Sequence, residues 1–278
     1  MITPTLFSIL VANYNNGHYI AECLDSLIKQ DYESIEIIIV DDASTDNSIH
    51  IIKQYQNQHP NIFLFHNSEN KGVGYTKKRC IDEAKGEILG FVDPDDAIAL
   101  NAITKMIEMH KKNPQASLVY SNLYYCDEKL HITGKKYIKQ VPQGQYDFFN
   151  DDGDISAFTS FKKSSYLKTI GINPYLKNAE DQDLYFKLYD VGEAILIDER
   201  LYYYRIHIGG LSTLANVDRS YFWRWKVILK RAEEKGINME QAFLDTFIRK
   251  TSVNRYIKID QTLRSFFFPS LIKKFKKQ

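Results

Sequence analysis

Cysteine is scarce: Cys23, Cys80 and Cys126 are the only three, widely spaced and without a C-x-x-C pair. That excludes a disulfide framework and leaves three small apolar side chains suited to a reducing compartment. Long hydrophobic runs are also missing, and nothing approaches the roughly 18 uninterrupted apolar residues of a membrane span. The first residues carry neither the basic stretch nor the long apolar core of a signal peptide, so the expected location is the cytosol. No charge of one sign dominates, because 36 basic and 35 acidic residues leave a net +1. A nucleic-acid partner is therefore not expected. No internal repeat or low-complexity block is visible, and Asn70-Lys71-Gly72-Val73-Gly74 lacks the completions of a dinucleotide fingerprint or a Walker loop.

What is present begins with 278 residues, enough to bury a substantial core in one large α/β domain or two modest ones. Aromatics make up 13%, with 19 Tyr, which suits sugar-stacking surfaces and equally suits ordinary half-buried positions. The densest local signal is Phe91-Val92-Asp93-Pro94-Asp95-Asp96, with three carboxylates in four positions. Residues 87–92 read as a buried strand, so these acids sit at its carboxyl end. Like charges so close drive one another toward protonation unless a cation or a set of donors compensates them. Two readings follow: a hard divalent ion, Mg²⁺ or Mn²⁺, shared with substrate phosphates, or an Asp-rich turn that caps the next helix.

The neighbouring pattern favours the ion. Residues 7–12 form a first strand, followed by the turn-formers Asn13-Tyr14-Asn15-Asn16-Gly17 and a helix with Ile20, Cys23, Leu24, Leu27 and Ile28 on one face. Residues 35–40 form a second strand ending in Asp41-Asp42, and the acids and hydroxyls up to Asp46 cap a helix bearing Ile49, Ile52 and Tyr55. A third strand covers 62–66, and a helix over about 75–85 is closed by Gly86 as its C-cap. After the acids come a helix with Ile103, Met106, Ile107 and His110 and a strand at 117–120. Four strand–helix alternations with short connections predict a mainly parallel α/β sheet with right-handed crossovers. Ligands bind such sheets outside the carboxyl ends of the strands, so three polar strand ends converge on one crevice, the pattern of a metal-nucleotide site.

Residues 127–153 read as loop and strand material outside the central fold, 155–161 as a strand and 162–170 as a short helix. Glu180-Asp181-Gln182-Asp183 heads a helix with Leu184, Leu188 and Val191 inward; acids there complement the helix dipole whatever else they do. Residues 194–197 and 201–206 read as two strands, the second running into His207 and the Gly209-Gly210 turn. The domain reading is a catalytic unit over 1–215, with a nucleotide-binding half at 1–121 and an acceptor half at 122–215. A helical extension covers 216–278, with helices at 220–235 and 239–257. Its basic, acid-free tail from Arg264 either lies on an anionic membrane surface or frays into solvent.

Six pieces now stand in order: S-I-L-V-A-N-Y-N, V-D-D-A-S-T-D, N-K-G-V-G-Y-T-K-K-R-C-I-D-E-A-K-G, F-V-D-P-D-D, E-D-Q-D-L and Y-R-I-H. Together they resemble the family-2 glycosyltransferases of the GT-A fold over roughly residues 8–212. The resemblance implies a nucleotide-sugar donor, a UDP-sugar, with its base and ribose against Ala12, Asn13, Tyr14 and Asp42, and Asp41 supporting that loop. It makes Asp93 and Asp95 the D-x-D pair, with Asp93 on the ribose and Asp95 on Mn²⁺ or Mg²⁺. Asp96 and His207 are further candidate ligands, although a lone His is more often structural. Asp181, beside Glu180, matches the base. Gly72 and Lys77 face the phosphates, and here the chain departs from the family, whose Arg-Asn is replaced by Lys77-Lys78, so the bidentate fork is lost. Ala12 stands where many relatives have Pro or Thr.

The chemistry is coherent without the family. Expelling a diphosphate from an anomeric carbon requires charge stabilisation on the leaving group, while an acceptor hydroxyl must lose its proton to a base on the opposite face. Backside attack inverts the anomeric centre. The implied product is a hexosyl or N-acetylhexosaminyl transfer to a glycan or lipid-linked acceptor, in surface-polysaccharide assembly at the inner face of the cell membrane. A nucleotidyltransferase would need a basic Gly-rich loop after the first strand, which 13–17 lacks. A non-catalytic nucleotide- or glycan-binding module would not need both Asp95 and Asp181.

Overall fold

A computed structural model describes residues 4–143, 155–210, 216–238 and 240. Their elements run β1 (Phe7–Asn13), α1 (Ile20–Ile28), β2 (Ile35–Asp41), α2 (Ser48–Gln58), β3 (Ile62–His66), α3 (Val73–Glu83), β4 (Ile88–Phe91), β5 (Ala97–Ile98) and α4 (Ala102–Lys112). They continue with β6 (Ala116–Cys126), β7 (Ile132–Lys136), β8 (Thr159–Lys162), α5 (Lys163–Tyr166), α6 (Glu180–Tyr189), β9 (Glu193–Arg205) and α7 (Val217–Lys235). Two compact units divide between Ile228 and Leu229. Apart from Glu240, the helix expected at 239–257 and the basic tail lie outside the described residues.

Sheet order is β3-β2-β1-β4-β8-β6-β9-β5, with β7 also paired to β6. The first four strands are parallel, as the alternation requires. The continuation is mixed, because β8 inserts antiparallel between β4 and β6. Period-2 alternation explains the layers: Phe7, Ile9 and Val11 of β1 face α1, α2 and α4, while Leu10 faces α3 and α6. Each such side chain, fully withdrawn from water, contributes about 1.5–3 kcal/mol. The acids of interest therefore sit on the ends of rigid, buried strands.

Three local expectations are corrected. The two strands read at 194–197 and 201–206 are one, β9, because irregularities around Asn122 absorb Asp198 and Glu199 and the Asn122 amide donates to Asp198 at 2.7 Å. Gly86 does not cap α3, whose cap is Ala84 in an extended conformation. Gly86 is required instead by close approach, since a Cβ there would lie 2.7 Å from the Ser8 nitrogen, and its N–H donates to Ser8 Oγ and Glu36. The helix read at 162–170 shortens to α5, and the chain then turns through Gly171, which adopts φ +73°.

Candidate active site

The strand ends do share a cleft. A cavity of about 1020 Å³ is lined by Ala12, Asn13, Tyr14, Asp42, Gly72, Lys77, Asp93, Asp95, Asp96, Glu180, Asp181 and His207. Of the residues singled out in the sequence, Asp41 alone stands behind it. Asp41 accepts from the Asn13 side-chain amide at 2.8 Å and from the Ser44 N–H at 3.0 Å, bracing the loop after β1 against that after β2.

Asp42 is nearly fully buried and takes three donors: Asn67 Nδ2 at 2.7 Å, the Lys71 N–H at 2.9 Å and the Gly72 N–H at 2.8 Å. Gly72 turns both amides onto one carboxylate by adopting φ +87°, a conformation that only glycine takes without strain. Two residues along, Gly74 abuts backbone: a Cβ there would stand 2.7 Å from the carbonyl oxygens of both Asn173 and Leu176.

The 93–96 loop is held from below. Asp93 donates its N–H to the Tyr202 hydroxyl at 3.2 Å, and Asp96 accepts the Arg205 N–H at 2.7 Å. Asp96 is buried, and burial followed by the charges of Asp95 and Asp93 pushes its carboxyl well up. Asp96, a candidate ligand by sequence, thus spends an oxygen fastening β9. The Arg205 guanidinium bonds the Asp95 and Glu128 carbonyl oxygens, pairs with Glu22 at 2.8 Å and lies 4.6 Å over the Tyr19 ring.

Asp95 reaches His207, with Oδ2 and Nε2 2.8 Å apart, and the His207 ring packs against Tyr19 at 4.6 Å. The Asp95 carboxylate at the cleft wall is the oxygen donor type that Mn²⁺ or Mg²⁺ prefers, while the imidazole nitrogen beside it is a less usual partner for these ions. Among the described residues, no group of three or more His, Cys, Asp or Glu gathers as a metal cluster. The protein offers this pair.

On the other wall, α6 begins with Glu180-Asp181. Lys77, buried on α3, reaches Glu180 at 2.8 Å and Asp93 at 3.4 Å, so it is committed to carboxylates where a phosphate contact was expected. Burial and the Glu180 charge push the Asp181 carboxyl up to about 6, against the opposing pull of Lys77. At neutral pH such a group is mostly ionised and basic enough to take a proton. Tyr19, Arg205 and the 174–178 segment also line the cleft and were not singled out in the sequence; the proximity of Arg205 to His207 in Y-R-I-H was the available signal.

The family model for Glycosyl transferase family 2 matches residues 8–169. The chain belongs to this family. It is 29% identical over 221 residues to glycosyltransferase GlyG of Streptococcus pneumoniae serotype 4, covering 74% of this chain and 72% of that protein. It is 33% identical over 210 residues to the poly(ribitol-phosphate) beta-glucosyltransferase of Bacillus spizizenii, covering 71% of this chain and 31% of that protein. Among solved structures, S. aureus TarS 1–349 in complex with UDP superimposes with TM-score 0.62 at 23% identity, over 81% of this chain and 65% of that one. The fold is GT-A, and the family-2 chain spans about a third of the ribitol-phosphate enzyme. No helix among the described residues is long and apolar enough to cross a membrane.

Proposed function

We propose that this family-2 enzyme is an inverting transferase that moves a hexosyl or N-acetylhexosaminyl group from a UDP-sugar to a hydroxyl of a glycan or lipid-linked glycan. The observation that carries the reading is the single cleft onto which Asp42, Asp93, Asp95, Asp181 and His207 all open. Support for UDP comes from the TarS complex. The poly(ribitol-phosphate) relative supports a glycosylated polymer as acceptor, and in this reading the chain works at the cytoplasmic face of the membrane.

In this reading Ala12, Asn13, Tyr14 and Asp42 receive the base and ribose, helped by Asp93, and the Gly72 loop faces the diphosphate. Asp95 and His207 would hold Mn²⁺ or Mg²⁺, which supplies Lewis-acid stabilisation of the negative charge gathering on the leaving diphosphate. Asp96 acts from beneath, fixing the loop and β9. The acceptor oxygen bonds to the anomeric carbon as the carbon–oxygen bond to the diphosphate breaks, its electron pair leaving with the diphosphate. Asp181 Oδ takes the hydroxyl proton. One base and one displacement invert the centre.

The test is release of UDP from UDP-glucose and UDP-GlcNAc with Mn²⁺ and glycan acceptors, in the wild type and in Asp181→Asn. Acceptor-dependent release that Asp181→Asn lowers by about 10²–10⁴ supports the assignment. Wild-type transfer by Asp181→Asn removes Asp181 as the base.

A further inference from the structure

Lys77 is a buried cation of this cleft to which the proposed reaction gives no task, and its surroundings are specific. Its side chain is 8% exposed and that of Glu180 6%, so the 2.8 Å pair is desolvated. The same ammonium lies 3.4 Å from Asp93, on the donor side. Burial would discharge a lysine, but Asp93, Glu180 and Asp181 hold this one well above its ordinary value, firmly charged. Reaching a diphosphate would mean abandoning both carboxylates, and truncating one partner of a buried pair strands the other.

The geometry around α6 gives the pair its purpose. Ala179, which precedes the helix, adopts a left-handed conformation with φ 59° and offers no side-chain cap. Within that first turn the Gln182 N–H donates to Asp181 Oδ1 at 2.7 Å, so the turn's position depends on what holds Glu180 at its head. The first turn of α3 packs through Gly74 directly on the carbonyls of Asn173 and Leu176, in the segment that leads into α6. Lys77, one turn further along α3, ties down the first residue of α6.

Resting on the assignment of Asp181 as base, we propose that Lys77 is its positioning residue. The ammonium pins Glu180 at the head of α6, sets Asp181 toward the acceptor, and links that setting to Asp93 on the donor side. Charged and titratable groups facing Asp181 are Lys77 of α3, Asp93 of the loop after β4, Glu180 and Tyr185 of α6, and Tyr204 of β9. Lys77 is the cation among them.

The experiment compares Lys77→Met, Lys77→Arg and Glu180→Gln, using the UDP-sugar of the two above that the wild type turns over. Lys77→Met is expected to lower kcat about tenfold or more and to move the acid limb of kcat up by about one pH unit, while UDP binding measured with Mn²⁺ changes by less than about threefold. Lys77→Arg restores the wild-type limb. Glu180→Gln lowers kcat, and the double variant with Lys77→Met is no worse than Lys77→Met alone, as expected of a contacting pair. A Lys77→Met enzyme with raised donor KM, weakened UDP binding and unchanged kcat and limb overturns the proposal and makes Lys77 a phosphate contact. Should Lys77→Met show no folded baseline, Glu180→Gln decides, since wild-type kcat in it also overturns the tie. Wild-type transfer in Asp181→Asn sinks the assignment of the base itself; an inactive Asp181→Asn beside unaffected Lys77→Met and Glu180→Gln sinks only this inference.

Discussion

Asp95 Oδ2 lies 2.8 Å from His207 Nε2, although 112 positions separate the two residues. The contact joins the loop after β4 to the turn after β9, two segments already fastened together by the bond from the Arg205 N–H to Asp96 and by the Arg205 side chain on the Asp95 carbonyl. Tyr19 braces the imidazole from α1's approach. A donor pair held this way is preorganised, so little ordering remains to be done when a ligand arrives.

In the proposed function, replacing either member is expected to remove the metal-dependent part of nucleotide affinity and leave the fold. Asp95→Asn and His207→Ala are each expected to weaken UDP binding in the presence of Mn²⁺ by about 10- to 100-fold. Binding without the ion should hardly change. Calorimetric titration of UDP with Mn²⁺ and with a chelator checks this; equal loss under both conditions would assign the pair to the nucleotide itself.

As the proposed base, Asp181 is expected to set the pH dependence of transfer. Its carboxyl is raised to about 6 by burial and then by Glu180, and it serves as a base only when ionised. Activity should accordingly be full above that value and fall about tenfold per pH unit below it. A kcat profile flat down to about pH 4.5, near an ordinary carboxylate, would contradict the assigned role.

Much of this was legible in the chain because the signals are local. An apolar run that stops at Asn13, Asp41 or Asp93 announces a strand end, and helix periodicity between the runs announces the crossovers. What escaped depends on pairing across distance. The four residues of β8 carry no register, so their antiparallel insertion between β4 and β6 could not be read. Lys77 reads as a phosphate contact until Glu180, about a hundred positions away, is seen beside it. Arg205 looks like an ordinary strand-end cation, yet it is almost fully buried, with Glu22 and Tyr19 of another element around it.

Arg205 should weigh heavily on stability and Glu22 lightly. The guanidinium is enclosed and bonds two part-buried carbonyl oxygens, so Arg205→Met loses two charge-assisted hydrogen bonds and the packing of a buried side chain, at a cost of about 2–4 kcal/mol. The Glu22 side chain is 52% exposed, and Glu22→Gln should cost under about 1 kcal/mol. Urea unfolding of the two variants separates them; equal losses would mean that the ion pair, and not the burial of Arg205, holds the loop.

His110 gives the fold a built-in acid sensitivity. The ring is buried on α4, its Nε2 3.0 Å from Ser160 Oγ, and burial followed by the charge of Lys162 pushes its pKa down to about 3. In the unfolded chain an imidazole titrates near about 6.5. Because the folded value is the lower one, the contribution is complete above the unfolded pKa. It is lost as pH falls toward the folded pKa, the unfolded state binding a proton that the native state refuses. Between about pH 7.5 and pH 5 that amounts to about 2 kcal/mol. His110→Gln cannot charge and can still bond Ser160, so its stability relative to wild type should improve by that amount over the same interval. Carboxylates such as Asp181 titrate alike in both proteins and cancel in the difference. Parallel stability curves for the two would mean that His110 is protonated, or reached by water, in the folded protein.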